Sequence, residues 1–177
     1  MAEEKKEKWL NYLAMTTVII AVCATLSTFK GGSFSTRSVL SQSQASDQWA
    51  YFQAKSIKGY LYELQKERFE LELKGGRLPK AVADEYADKI AAYDEKLKKY
   101  KSEKAEIEKT ARDLEKTRDE AQKHSQSFGM AIIFLQIAIL LSSIAALMKK
   151  KPLWIIGLCI AAFGLIYFAN GFLMFNK

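Results

Sequence analysis

Residues 128–175 read FGMAIIFLQIAILLSSIAALMKKKPLWIIGLCIAAFGLIYFANGFLMF, two uncharged apolar runs, 128–148 and 153–175, divided by Lys149-Lys150-Lys151-Pro152. At 1.5 Å per residue, about 20 helical residues cover the roughly 30 Å hydrocarbon core of a bilayer. A third uncharged run, WLNYLAMTTVIIAVCATLST, occupies 9–28. Three such runs in 177 residues leave no core in which soluble helices could bury them. The expected fold is therefore an all-α integral membrane protein with three transmembrane helices. Trp9, Tyr12, Trp154 and Tyr167 stand near the run ends, where aromatic anchors favour the lipid–water boundary.

The first run follows Lys5, Lys6 and Lys8, as a secretory signal would. It is longer than a signal core, no small-x-small site follows, and Val22 precedes Cys23 where a lipoprotein signal carries a small residue. An uncleaved anchor is expected. With three spans, the Lys149–Lys151 loop lies on the same side as the N-terminus, and the positive-inside rule makes that side cytoplasmic. Residues 1–8 are then a cytoplasmic tail, 149–152 a cytoplasmic loop, and 29–127 an extramembrane segment outside the inner membrane, together with Lys177.

That segment is expected to be a long antiparallel coiled-coil hairpin inserted between the first and second spans, with helices over about 37–74 and 80–127. Lys30-Gly31-Gly32-Ser33-Phe34-Ser35-Thr36 reads as an irregular link. Gly75-Gly76-Arg77-Leu78-Pro79 reads as the tip, glycines ending one helix and Pro79 opening the next. On the returning helix Tyr86, Ile90, Tyr93, Leu97, Tyr100, Lys104, Ile107, Ala111, Leu114, Arg118, Ala121 and Ser125 alternate at +4 and +3 between charged flanks, a coiled-coil seam. The outgoing helix offers a matching seam in Ile57, Tyr60, Leu64 and Leu71. It carries a second stripe in Trp49, Phe52, Gly59, Tyr62, Phe69 and Leu73 on the opposite face, expected to be a subunit interface because exposed apolar patches mark contact surfaces.

The spans carry packing stripes of their own. Ala14, Thr17, Ala21 and Ala24 recur at helical spacing in the first, and Gly157, Ala161, Gly164 and Gly171 in the third, where small residues let helix backbones approach in lipid. Gln136, Ser142, Ser143 and Asn170 supply hydrogen-bonding groups for packing across helices.

Little chemistry is available. One His and two Cys supply no metal-ligand set, and Cys23 and Cys159 lie at depths differing by about 12 Å, too far for a disulfide. Neither Gly-Gly pair has phosphate-loop spacing, and carboxylates interleave with lysines along solvated helix faces. No catalytic, cofactor-binding or metal site is assigned, and no enzyme is expected. Nucleic-acid binding is disfavoured, because residues 29–127 hold 20 basic and 17 acidic residues. More than half of the +7 net charge sits in the Lys149–Lys151 loop and at Lys177, so the basic excess is mainly a topology signal.

Three runs carry a resemblance: Lys8-Trp9-Leu10-Asn11-Tyr12-Leu13-Ala14; Ala21-Val22-Cys23-Ala24-Thr25-Leu26-Ser27-Thr28-Phe29-Lys30-Gly31-Gly32; and Ser43-Gln44-Ala45-Ser46-Asp47-Gln48-Trp49-Ala50-Tyr51-Phe52-Gln53-Ala54-Lys55-Ser56-Ile57-Lys58. With their order of elements, they make the chain similar to the bacterial membrane-protein family called domain of unknown function 4337. The resemblance implies a bacterial inner-membrane protein of one span, a coiled-coil segment and two further spans. It assigns no activity and no functional residue.

The expected role is a structural or interaction protein: a homo-oligomer in contact with membrane lipids whose hairpin serves as a scaffold or tether and touches an envelope partner through its tip. The alternative is an accessory or pore-forming subunit of a transport or channel complex, with Gln136, Ser142 or Asn170 lining the axis.

Overall fold

The computed structural model describes residues 2–175, with side chains described from residue 8. Lys177 and the side chains of Lys5 and Lys6, used above for topology, lie outside the described residues. The described residues form three α-helices: α1, Ala2–Lys74; α2, Lys80–Met148; and α3, Lys151–Leu173. Among the described residues there is no strand. Each helix contains a stretch long and apolar enough to cross a membrane. The chain divides into two compact units, one formed by residues up to Leu40 and from Thr117 onward, the other by Ser41–Lys116.

The expected break at residues 30–36 does not occur; α1 is helical throughout that stretch. Glycine lowers helix propensity but also admits close contact, and here contact decides. A Cβ at Gly31 would stand 3.0 Å from Phe128 Cβ, and Ser125 Oγ donates to the Gly31 carbonyl at 3.1 Å. Gly31 is thus a packing site for α2, not part of a linker.

In the first unit the three helices share a core of small and branched side chains. Ile20 and Ala24 from α1 meet Ala131, Leu135 and Ala138 from α2 and Ala161 from α3. Gly157, Gly164 and Gly171 of α3 are buried in the same bundle. A Cβ at Gly157 would lie 3.4 Å from the Ala138 carbonyl oxygen, which shows how closely α3 approaches α2. A second cluster joins Trp9, Leu13 and Ala145, with Leu153 and Trp154 packed against it. The Trp9 and Trp154 rings are 6.1 Å apart, and Lys151 Nζ stands 5.9 Å from the Trp9 centroid. The start of α1 and the α2–α3 turn therefore lie at the same end of this unit.

The buried face of α1 is rotated from the expected one. Leu13, Ile20, Ala24, Ser27 and Gly31 are buried, whereas Ala14 is exposed and Thr17 and Ala21 are half-buried. The threonines need no neighbouring helix: Thr17 Oγ1 donates to the Leu13 carbonyl at 2.8 Å and Thr28 Oγ1 to that of Ala24 at 3.0 Å. Ser27 and Gly31 permit a closer approach than the β-branched threonines would. Gln136, expected among the packing residues, instead lies on the exposed side of α2.

Two tight turns connect the helices. Gly75 N–H donates to the Leu71 carbonyl and Gly76 N–H to that of Leu73, with Gly76 at φ 65°, the left-handed geometry glycine adopts at helix ends. Lys149 adopts φ 50° without that freedom, and its N–H and that of Lys150 close on the carbonyls of Ala146 and Ala145.

Candidate interaction face of the charged helices

Within Ser41–Lys116, partners on α2 descend as α1 ascends. Trp49 Nε1 donates to Glu115 Oε1 at 2.9 Å, Lys55 bonds Glu103, Lys66 Nζ meets Asp94 Oδ1 at 2.5 Å, and the Phe69 ring lies tilted against Tyr86 at 4.6 Å between centroids. The two segments are therefore antiparallel. Ser41 and Ala45 on α1 and Ala111 and Ile107 on α2 are the buried positions of this pair. Small residues bring the backbones together there, and aromatics fill the wider remainder: Tyr62 lies 5.1 Å from Tyr93 and 5.9 Å from Tyr100. Lysines lie over these rings, Lys96 at 4.8 Å from the Tyr62 centroid and Lys104 at 4.9 Å from that of Phe52, a favourable cation–π placement.

This arrangement reverses the two outgoing stripes. Trp49, Phe52, Gly59, Tyr62, Phe69 and Leu73, expected to form a subunit interface, are half-buried along the pair. Ile57, Tyr60, Leu64 and Leu71, expected to form the seam, are 52%, 61%, 62% and 68% exposed. Leu61, absent from either expected stripe, is exposed beside them at 57%. On α2, Tyr86, Ile90, Tyr93, Leu97, Tyr100 and Leu114 are half-buried and Ile107 is buried. The physical reason lies in the partners. Four aromatics span an interhelical gap better than isoleucine and leucine, and Lys55 and Lys66, which look unsuited to a seam, find Glu103 and Asp94 across it. The long lysine stems cover apolar surface while their ammonium groups reach carboxylates.

The buried-seam reading has a pH signature. The hydrogen bond from Lys55, reinforced by its charge, holds the Glu103 carboxyl below the usual carboxylate range despite opposing desolvation. The same bond holds Lys55 above the usual lysine range. Glu103 stabilises the pair fully above its unfolded pKa, about 4.3, and loses that contribution as pH falls through the lower folded value. Lys55 contributes fully below its unfolded pKa, about 10.4, and loses its contribution as pH rises through the higher folded value. Glu103→Gln is expected to flatten the acid limb of a thermal-stability profile of the full chain while leaving its neutral plateau helical. An unchanged acid limb would show that the ion pair does not support the fold.

Among the described residues, no group of three or more His, Cys, Asp or Glu could hold a metal ion. His124 Nδ1–H donates to the Gly171 carbonyl at 2.7 Å, and its ring stacks on Phe34 at 4.4 Å, so the imidazole ties α2 to the end of α3. Cys23 and Cys159 carry free thiols.

What remains conspicuous is the outer face of α1. Ala50, Ala54, Ile57, Leu61, Leu64, Arg68 and Leu71 are all exposed and recur at +4 and +3, a second heptad row. Leucine and isoleucine in a heptad row are suited to knobs-into-holes packing with another helix. The sequence carries a signal for it, since Ile57, Leu64 and Leu71 stand seven residues apart. No curated protein and no solved structure matches the chain. A family model described as Domain of unknown function (DUF4337) matches residues 9–174, nearly the whole length, and the chain belongs to that family.

Proposed function

We propose that this protein is a scaffold anchored in the inner membrane, which self-associates outside the bilayer through the outer face of α1. The observation that carries the reading is the exposed heptad row of Ile57, Leu61, Leu64 and Leu71. A second copy is the occupant that fits it. Copies inserted in one membrane share an orientation, so the same row on each meets its counterpart in parallel and with the same spacing.

Membrane anchoring is supported by the apolar exterior of the first unit, where Leu147, Phe163 and Ile166 are exposed. In water such a surface would aggregate; in lipid it is solvated. The meeting of Trp9, Trp154 and Lys151 at one end supports placing the N-terminus and the Lys149–Lys150 turn together at the cytoplasmic boundary. Ser41–Lys116, carrying the charged helices as a coiled-coil hairpin, then faces the periplasm.

The test is self-association of the full chain in lipid vesicles, followed by energy transfer between labelled copies. The wild type is expected to associate, and Ile57→Glu with Leu64→Glu to weaken association by about tenfold or more, with helical content unchanged. A wild-type chain that stays monomeric at all protein-to-lipid ratios, or that alkaline carbonate strips from the membrane, would overturn the reading.

A further inference from the structure

We infer that the exposed side of α2 centred on Gln136 is a contact between copies of this chain inside the membrane, with the two Gln136 carboxamides hydrogen-bonded to each other. This rests on the membrane-anchored reading but uses a surface separate from the outer face of α1.

Most polar side chains of the apolar stretches are satisfied within the chain. Thr16, Thr17, Thr25, Ser27, Thr28 and Ser143 donate to carbonyls of their own helices. Trp154 Nε1 donates to Thr16 Oγ1, and Asn170 Nδ2 to Ser127 Oγ. Two differ among the described residues: Ser142 Oγ is buried inside the bundle without a partner, whereas Gln136 is exposed and makes no hydrogen bond. Its position in the run 128–148 puts it about 12 Å from Phe128 and about 18 Å from Met148 along the helix. Neither end of the apolar run is within reach of a glutamine side chain, so its amide would stand unpaired in hydrocarbon, an unfavourable state.

A second copy resolves this. A carboxamide carries both donor and acceptor, so two of them satisfy each other reciprocally. Copies inserted in the same sense present α2 in parallel, which brings Gln136 to Gln136 at equal depth about a two-fold axis. The surrounding face suits close approach. Gly129, Ile133, Gln136, Leu140, Ser143 and Leu147 recur at +4 and +3, with a small residue one heptad to either side of Gln136. Nothing lies within 4 Å of a Cβ built at Gly129, and Ser143 Oγ is turned back to the Ile139 carbonyl at 2.9 Å, leaving the groove beside Gln136 open.

The experiment uses the full chain in native membranes with Cys23→Ala and Cys159→Ala. Under mild oxidation Gln136→Cys is expected to yield disulfide-linked dimers. Met130→Cys, on a different exposed side of the same helix, is expected to yield few. In vesicles Gln136→Leu is expected to raise the dissociation constant by roughly 5- to 30-fold, and Gln136→Asn to retain most of the association. Equal cross-linking at both positions, or a Gln136→Leu chain that associates like the wild type, would overturn the inference and show that lipid alone covers this face. If association in those chains still fell with Ile57→Glu and Leu64→Glu, the scaffold reading would stand without it.

Discussion

Replacing Gly164 with alanine is expected to destabilise the three-helix unit by about 2 kcal/mol, although alanine is the better helix former. A Cβ at Gly164 would lie 2.8 Å from both Leu135 Cγ and Cδ2 and 3.1 Å from the Leu135 backbone nitrogen. The side chain could swing only into a core where Leu135 is fully buried, and the backbone nitrogen belongs to a continuous helix that cannot retreat locally. The new methyl must therefore push α3 away from α2 and loosen contacts along the interface. Gly32→Ala is the matched control: nothing lies within 4 Å of its built Cβ. There the helix-propensity gain, up to about 1 kcal/mol, stands alone and the variant should be neutral or more stable. Denaturant titration of the full chain in detergent, followed by circular dichroism, measures both. A Gly164→Ala chain as stable as Gly32→Ala would refute the close α2–α3 contact.

The second large effect distinguishes the two faces of α1. Phe69→Ala is expected to lower the stability of the Ser41–Lys116 unit by about 2 kcal/mol, below the full core value because the ring is half-buried. Its removal deletes contacts with Tyr86 at 4.6 Å and Tyr93 at 6.0 Å. Leu64→Ala, on the exposed row, is expected to change the stability of the dilute monomer by no more than about 0.5 kcal/mol. Amide hydrogen exchange across residues 41–116 reads the difference directly. Comparable losses from the two variants would mean that the Leu64 row is packed in the monomer too and is not an outer face.

How far the sequence carries the reader differs between the two charged segments. On α2 a single apolar row runs from Tyr86 toward Ser125 with charged residues on either side, and periodicity alone singles out that face. On α1 two rows share the same period, and composition favours the wrong one, because Ile57, Leu64 and Leu71 look more like a seam than Lys55, Gly59 and Lys66. Only the opposing helix resolves the tie: Asp94 and Glu103 accept the lysines, while Tyr86, Tyr93 and Tyr100 receive the aromatics. The candidate interaction face was thus written in the sequence as a heptad row, but its assignment to the outside was not.

The glycines and the polar residues of the apolar runs teach the same lesson. Gly31 and Gly32 read locally as a break, since backbone freedom is a property of the residue itself. Whether that freedom is used for a turn or its small size for contact depends on what approaches, and Phe128 approaches Gly31. Gln136 is legible as a hydrogen-bonding group in the middle of an apolar run, but which side of α2 it occupies is set by how α1 and α3 pack on that helix.

By itself the sequence determined the helical class, the three apolar stretches, the charged segment between the first and second of them, and the turns at Gly75–Pro79 and after Met148, although the second is only Lys149–Lys150, the expected loop residues Lys151 and Pro152 being the start of α3. Those features follow from hydrophobicity, period and backbone propensity, which are local. The tertiary structure decided which face of each helix is inside, because burial is a relation between surfaces: small residues, aromatic rings and paired charges take the seam according to the helix opposite, and the row left over becomes the surface available to another molecule.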